Sequence, residues 1–451
     1  MGLHTNMTHD LHRLLAIVII FGLPFLRPVF ATNSQDSESV TIDLLIENAQ
    51  IFDGREILAG GLYQVQINDK HIIALTKGES SLKAARRIDA QGRWLIPGLI
   101  DAHVHTSIPL GFSALRDADP NYVAHLSAVA AKEMLRRGFT TVRDMGGPSF
   151  GLKRAIDAGL VPGPRIFPSG AMVSQTSGHG DFRSPGPVDV SGRDVMEQRG
   201  YGAIADGESA VLAAVRAQLR QGASQIKLAA GGGLSSNYDP LDSVQYLTDE
   251  LQAAVQAAQD FGTYVAVHAY TPSAIRRSID AGVKSIEHAH LVDEATIRLM
   301  AEREVFLSPQ AYLFSGDAFP LTGKAQGIAA GLDQMMRLAK QYGVSIAFGT
   351  DVFGSPRVYS FQANEFRIRL RWFSALEILQ QATSVNARLL ALSGPRSPYP
   401  DGKLGVIQPG AWADVLLLDG NPVENISLLE DAERHILLII KNGEVIKNTL
   451  N

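Results

Sequence analysis

The sequence predicts an α/β protein, a (β/α)8 TIM barrel flanked by a β-sandwich that the two chain ends build together. Three observations lead there. Apolar runs alternate with helix-period segments through residues 97–400. Short strands separated by turn dipeptides fill both flanks. The residues able to do chemistry follow directly after the apolar runs, where the strands of such a barrel end.

Totals bound the problem first. With 451 residues the chain exceeds what one small core needs, and predicts a large domain with an accessory one. A 45% hydrophobic and 19% charged composition is that of a globular protein, neither collagen-like nor disordered. The net charge of −5, without a long Lys/Arg cluster, argues against nucleic acid as a partner. There is no cysteine, so a disulfide framework is excluded and any metal must be held by nitrogen and oxygen.

Residues 1–31 read as a secretory signal peptide. Met1 to Arg13 is polar, Leu14 to Leu26 is an apolar core interrupted by Gly22 and Pro24, and Val29-Phe30-Ala31 approximates the small-residue cleavage pattern. The core is short for a membrane span. An exported protein, periplasmic or secreted, is expected, with no stable membrane insertion after cleavage; an uncleaved anchor is the alternative.

Residues 40–96 form the first part of the sandwich, with strands at Ile42–Glu47, Tyr63–Ile67, Ile72–Leu75 and Arg87–Asp89. Asp53-Gly54, Gly60-Gly61, Asn68-Asp69 and Gln91-Gly92 separate them. Residues 401–451 repeat this texture at Ala413–Leu418 and Ile436–Lys441. There Asn442-Gly443 and Val445–Lys447 give a strong hairpin signal.

Between them, residues 97–400 alternate strand and helix. Thr248 is placed to cap a helix with Leu251, Ala254, Val255 and Ala258 on one face, ending at Gly262; Val211, Leu212, Val215 and Leu219 lead likewise to Gly222. The candidate strands are 97–103, 140–144, 165–169, 225–229, 264–268, 284–288, 305–309 and 345–349. Eight strands over some 300 residues fit a barrel, which typically takes ~250 residues and more with insertions. The alternative, an open doubly wound sheet, lacks its Gly-rich phosphate fingerprint after the first strand.

The strand ends carry a coherent set: His103 and His105, Lys227, His268, His288, and Gly349-Thr350-Asp351. Side chains two apart on a strand face the same way, so His103 and His105 can offer both imidazoles to one metal. Each residue alone has a plainer explanation: a hydrogen-bonded core histidine, a lysine in an ion pair, an aspartate capping a helix. Together, four imidazoles and a carboxylate can hold two divalent cations, which also want a bridging anion. A lysine near two cations has a lowered pKa, and its neutral amine can take up carbon dioxide as a carbamate.

The run Pro97-Gly98-Leu99-Ile100-Asp101-Ala102-His103-Val104-His105, with Lys227, His268, Ser285-Ile286-Glu287-His288 and Gly349-Thr350-Asp351, resembles the metal-dependent amidohydrolase superfamily. Its imidazolonepropionase-like branch, with Xaa-Pro dipeptidases and related carboxypeptidases, is the closer resemblance, and it extends from about residue 40 to the C-terminus. It implies a binuclear site with two divalent metal ions, zinc by similarity. His103 and His105 would hold one, with Asp351; His268 and His288 would hold the other; carboxylated Lys227 would bridge them. Coordination lowers the pKa of a bound water from ~15.7 toward ~7, and Asp351 would shuttle the proton to the leaving nitrogen. His290, two past His288, is expected to stand behind the ligands.

Two Gly-rich loops are expected to shape the substrate pocket, Ser174–Asp181 and Gly231–Tyr238, with His179 and Tyr238 as candidates to bind and polarise the substrate. Arg143 and Arg183 are expected to serve structure first. The implied activity is hydrolysis of an amide or peptide bond to a C-terminal amino acid, in a dipeptide or N-acyl amino acid. The alternatives are a cyclic-amide or lactone hydrolase, a related mononuclear deaminase, which Lys227 as a two-metal bridge disfavours, or a non-catalytic relative, which would lack ligands. A homo-oligomer stays open.

Overall fold

The computed structural model describes residues 41–78, 82–183, 192–236 and 238–450. The expected signal peptide, residues 1–31, lies outside them. No helix among the described residues is long and apolar enough to cross a membrane.

The two chain ends do pair, through a strand that the sequence did not single out. Val415–Leu418 pairs antiparallel with Trp94–Pro97, Val415 opposite Pro97 and Leu418 opposite Trp94. Both strands are short runs of large apolar residues, and Leu95, Ile96, Leu416 and Leu417 are fully buried. Asn442 (φ 55°) and Gly443 (φ 74°) both take the left-handed conformation that a tight two-residue hairpin turn needs, which joins Ile436–Lys441 to Glu444–Asn448. The hydrogen bonds of the two chain ends link nine strands through one shared strand. Ile42–Ile51 is that strand, pairing with Tyr63–Asn68 and Ala84–Asp89 at one end and Trp94–Pro97 at the other.

Parallel strands and helices follow. Leu99–Val104, Phe139–Asp144 and Arg165–Pro168 form one parallel sheet. Six more strands form a second, in the order Gly202–Ile204, Met172–Ser174, Ile226–Ala229, Val265–Ala269, Ser285–His288, Phe306–Ser308. Being covered on both faces, they are built from uninterrupted apolar runs rather than alternating ones. Three of the six are three-residue strands, and two of these, Met172–Ser174 and Gly202–Ile204, lack an apolar run long enough to stand out by periodicity.

The predicted strand 345–349 is irregular. Instead of a ladder it makes one isolated bridge, Leu307 to Ile346, with Val104 bridging Val352 just beyond it, and Ala102 N donates to Phe348 O at 2.8 Å. On the other side Ser224 N donates to Pro168 O at 2.8 Å. Backbone hydrogen bonds thus span both gaps between the sheets, several through the 345–352 segment on one side.

The helices follow their sequence signals closely. Glu208–Gln221 buries Val211, Val215 and Leu219 and ends on Gly222 at φ 100°, a conformation that costs glycine little. Thr248–Asp260 buries Leu251, Ala254, Val255 and Ala258 as expected. Thr248 is its first residue and not its cap: Leu247 holds that position, and Glu250 reaches back to accept the Leu247 N–H at 2.7 Å.

Candidate metal centre

The register of the parallel strands gathers the strand-end residues. Ala229 lies opposite His268 and Ala269 opposite His288, so the two histidines come from neighbouring strands at nearly the same height. Their rings stand 4.4 Å apart, and the His288 ring is 5.4 Å from that of His103.

His103, His105 and Asp351 bring their ligand atoms within 4.8 Å of one another. Among the described residues no other three His, Asp or Glu side chains converge in this way. His105 Nδ1 is 3.0 Å from Gly146 O, and a carbonyl can only accept, so the proton sits on Nδ1. His103 Nδ1 is likewise 2.8 Å from Glu287 Oε2. Both Nε2 atoms are left bare toward Asp351 Oδ1, at 3.5 Å from His103 and 3.1 Å from His105.

Three lone-pair donors facing one point are what a cation satisfies. Burial works against charged His105, but the Asp351 carboxylate and Asp144 hold its pKa above the ordinary value. Burial and the Lys227 charge instead bring His103 down to about 4. Gly146 packs closely here, since a Cβ there would lie 3.1 Å from His105 Cε1.

Lys227, His268 and His288 lie in the same buried site. Lys227 is 2% exposed, and burial lowers its amine to about 8, Glu287 and Asp351 opposing that shift. His268 Nε2 donates to Gly232 O at 3.2 Å, which leaves Nδ1 bare; His288 Nδ1 is buried with no hydrogen-bond partner. Burial first, then the neighbouring imidazoles, keeps both well below the usual pKa and therefore in the neutral, ligating form. His288 (φ 79°), Ala289 (φ 55°) and Asp351 (φ 56°) all occupy left-handed backbone that disfavours side chains. Such strain, about 1–3 kcal/mol per residue, persists where the surrounding structure over-determines it, and here it falls on two of the six converging groups.

These groups line a cavity of about 290 Å³. His179 lies on it as expected, its ring stacked 3.9 Å from that of His268 and its Nδ1 2.7 Å from Ser236 Oγ. Gly233 makes room for that ring, because a Cβ at this position would stand 2.0 Å from it. Tyr238 is elsewhere: it is 43% exposed and does not line the cavity. Two phenols do, Tyr201 and Tyr270, and Tyr270 is stacked 5.1 Å from His288. Its hydroxyl has no hydrogen-bond partner among the described residues. Two past His268, Tyr270 obeys the same alternation that paired His103 with His105, and that signal could have found it.

One wall of the cavity is aromatic, with Phe112 stacked on Phe182 at 4.5 Å and Phe353 edge-on to His105 at 5.5 Å. Leu313, Phe314 and Phe319 supply further apolar lining. His290 is buried behind the cavity, 4.6 Å from Phe314, with neither ring nitrogen bonded. Arg183 pairs with Asp181 at 2.6 Å, and Arg143 is buried against Glu287, so both arginines do serve structure. Asp101 was not foreseen. It accepts from Thr350 Oγ1 at 2.6 Å and from His103 N at 3.1 Å, and thereby fixes the two segments that carry His103 and Asp351.

Comparison with known proteins bears on what this arrangement is. A model of the amidohydrolase family matches residues 94–446. Ochratoxinase from Aspergillus niger is 32% identical over 414 residues, covering 84% of this chain and 82% of that protein. A prolidase solved with N-methylphosphonate-L-proline superposes with a TM-score of 0.81 at 34% identity, over 90% of this chain and all of that one. A Xaa-Pro dipeptidase with methionine bound in its active site does so at 0.78 and 30% identity, with the same coverage.

Proposed function

The chain belongs to the amidohydrolase family, and on that premise we propose that it hydrolyses the amide bond to a C-terminal amino acid, in a dipeptide or an N-acyl amino acid. The convergence of bare ring nitrogens, one carboxylate and buried Lys227 on one cavity carries this reading. His103, His105 and Asp351 would hold one divalent metal ion, His268 and His288 a second, and a carboxylated Lys227 would bridge them, with zinc the expected metal. The donor set fits: zinc takes imidazole nitrogen and carboxylate oxygen, and a lysine amine brought to about 8 by burial is neutral often enough to accept carbon dioxide. When bound, such ions polarise a carbonyl and lower the pKa of a coordinated water. We also read the backbone bonds spanning both gaps between the parallel sheets as the closure of a (β/α)8 barrel, with the cavity at its mouth.

The chain's own residues then divide the work. Asp351 accepts the proton of the attacking water at its carboxylate and returns it to the leaving nitrogen. His179, over His268, orients the substrate carbonyl. Tyr270, and not the more exposed Tyr238, offers its free hydroxyl to the substrate carboxylate. The Phe112, Phe182 and Phe353 wall takes an apolar side group and excludes water.

A screen of zinc-loaded protein against dipeptides, N-acyl amino acids, cyclic amides and lactones tests the reading. Turnover of the first two classes, with about two zinc equivalents per chain and loss of activity in Lys227→Ala, is expected. Turnover of lactones alone would replace the peptidase reading, and a stably folded chain that takes up no metal would end it.

A further inference from the structure

We propose that Glu287 and Arg143 are positioning residues for the metal centre, holding His103 in the single tautomer that leaves its Nε2 bare toward Asp351. This rests on the reading of His103 as a ligand. Both side chains are fully buried and neither lines the cavity, so neither can touch substrate. Arg143 Nη2 donates to both Glu287 oxygens, at 2.8 and 2.9 Å, and Ser285 Oγ donates to Oε1 at 2.6 Å. The other oxygen, Oε2, faces His103 Nδ1 at 2.8 Å.

An ionised carboxylate can only accept, so its presence fixes the proton on Nδ1. Gln310 Nε2 also lies 3.2 Å from this Nδ1, but its hydrogens are directed at Ser308 O at 2.6 Å and Ser308 Oγ at 3.2 Å. Turning the amide over would set its oxygen against the Ser308 carbonyl. Gln310 therefore does not compete for the Nδ1 proton.

The charge on Glu287 matters as much as its position. The Arg143 guanidinium, donating to both carboxylate oxygens at 2.8 and 2.9 Å, pairs that charge inside the fold. An anion hydrogen-bonded to one imidazole nitrogen makes the other a stronger donor to a metal. His105 has only the neutral Gly146 carbonyl in that place, so the two ligands are unequal by construction. The relay crosses three strands, Phe139–Asp144, Ser285–His288 and Leu99–Val104. Arg143 Nε also donates to Ala102 O at 2.5 Å, tying the relay to the residue before His103.

A purely structural ion pair would lie across the same strands, so the test must separate strand-tying from ligand positioning. The double variant Arg143→Met/Glu287→Gln removes both buried charges together, and Glu287→Asp keeps the charge beside Arg143 while withdrawing it from His103. Zinc affinity is read by chelator competition, and folding by the melting of the metal-free protein. The double variant should melt close to wild type yet hold zinc about 10- to 100-fold more weakly, and Glu287→Asp should show the same loss. Wild-type zinc affinity in the folded variants would overturn the proposal. If the double variant does not fold, Glu287→Asp alone decides. A wild-type chain that binds no zinc would instead remove the metal-centre reading, and the positioning role with it.

Discussion

His105 Nε2 stands 3.1 Å from Asp351 Oδ1, an acceptor facing an acceptor, because the only ring proton of His105 is committed to Gly146 O on the far side. Two lone pairs do not approach so closely without a cation or an additional proton between them. Asp351 is held there at a cost, at φ 56°, by its own N–H donating to His103 O at 2.6 Å. Replacing Asp351 with Asn keeps the shape and removes the negative charge. If Asp351 both ligates and moves the proton, Asp351→Asn should lower kcat about 10²- to 10⁴-fold while the melting temperature barely moves. A variant that kept wild-type kcat would take Asp351 out of the chemistry.

Lys227 makes a second expectation about conditions rather than sequence. Burial brings its amine from the ordinary 10.5 to about 8. The neutral fraction, which alone reacts with carbon dioxide, therefore grows steeply between pH 6.5 and 8.5 instead of near pH 10. Metal-free protein given zinc should regain activity faster with added bicarbonate, and the benefit should be larger at pH 8.5 than at pH 6.5. Recovery indifferent to bicarbonate at both pH values would mean that Lys227 works unmodified.

Tyr270 and Tyr238 offer a paired comparison. Tyr270→Phe retains the ring stacked 5.1 Å from His288 and deletes only the hydroxyl. A hydrogen bond to a charged group contributes about 1.5–3 kcal/mol, so KM for an N-acyl amino acid should rise about 10- to 100-fold with a smaller change in kcat. Tyr238, 43% exposed and off the cavity, should tolerate the same change with little effect. The reverse ranking would move the carboxylate site to the Gly231–Tyr238 loop.

The strand-end groups were legible in the sequence because the alternation of strand side chains and the position of strand ends are local rules. His103, His105, Lys227, His268, His288 and Asp351 each follow an apolar run, and the fold brings all six to one cavity. What escaped depends on distant partners. Glu287 sits beside His288 in sequence, but its meaning comes from Arg143 and His103, 144 and 184 residues away. The segment 345–349 read as a strand because it is apolar, yet Asn386 occupies it: its Oδ1 accepts Phe348 N–H, and its Nδ2 donates to Phe348 O and Ile100 O. A side chain there does what a neighbouring strand was expected to do. The linking of nine strands through Ile42–Ile51 escaped for a related reason, since that strand changes partners along its length and no local pattern announces that.

Lys441 shows how such long-range surroundings become a stability argument. It ends the strand Ile436–Lys441 and is only 7% exposed. Burial first, then the Arg165 charge, lowers its pKa from 10.5 to about 8, against the opposing pull of Asp414. Between pH 8 and 10.5 the unfolded chain therefore binds more protons at this site than the folded one, so stability rises with pH across that window. Below pH 8 the lysine is charged in both states and the folded chain bears the full cost, on the order of 3 kcal/mol. Lys441→Met removes that cost. The variant should be the more stable protein at pH 7 by up to about 3 kcal/mol, and its advantage should shrink steadily as pH is raised from 8 to 10. Urea unfolding of both proteins over that range measures the difference directly. A gain that stayed constant with pH would mean that methionine stabilises by packing alone, and that the charge on Lys441 costs the fold nothing.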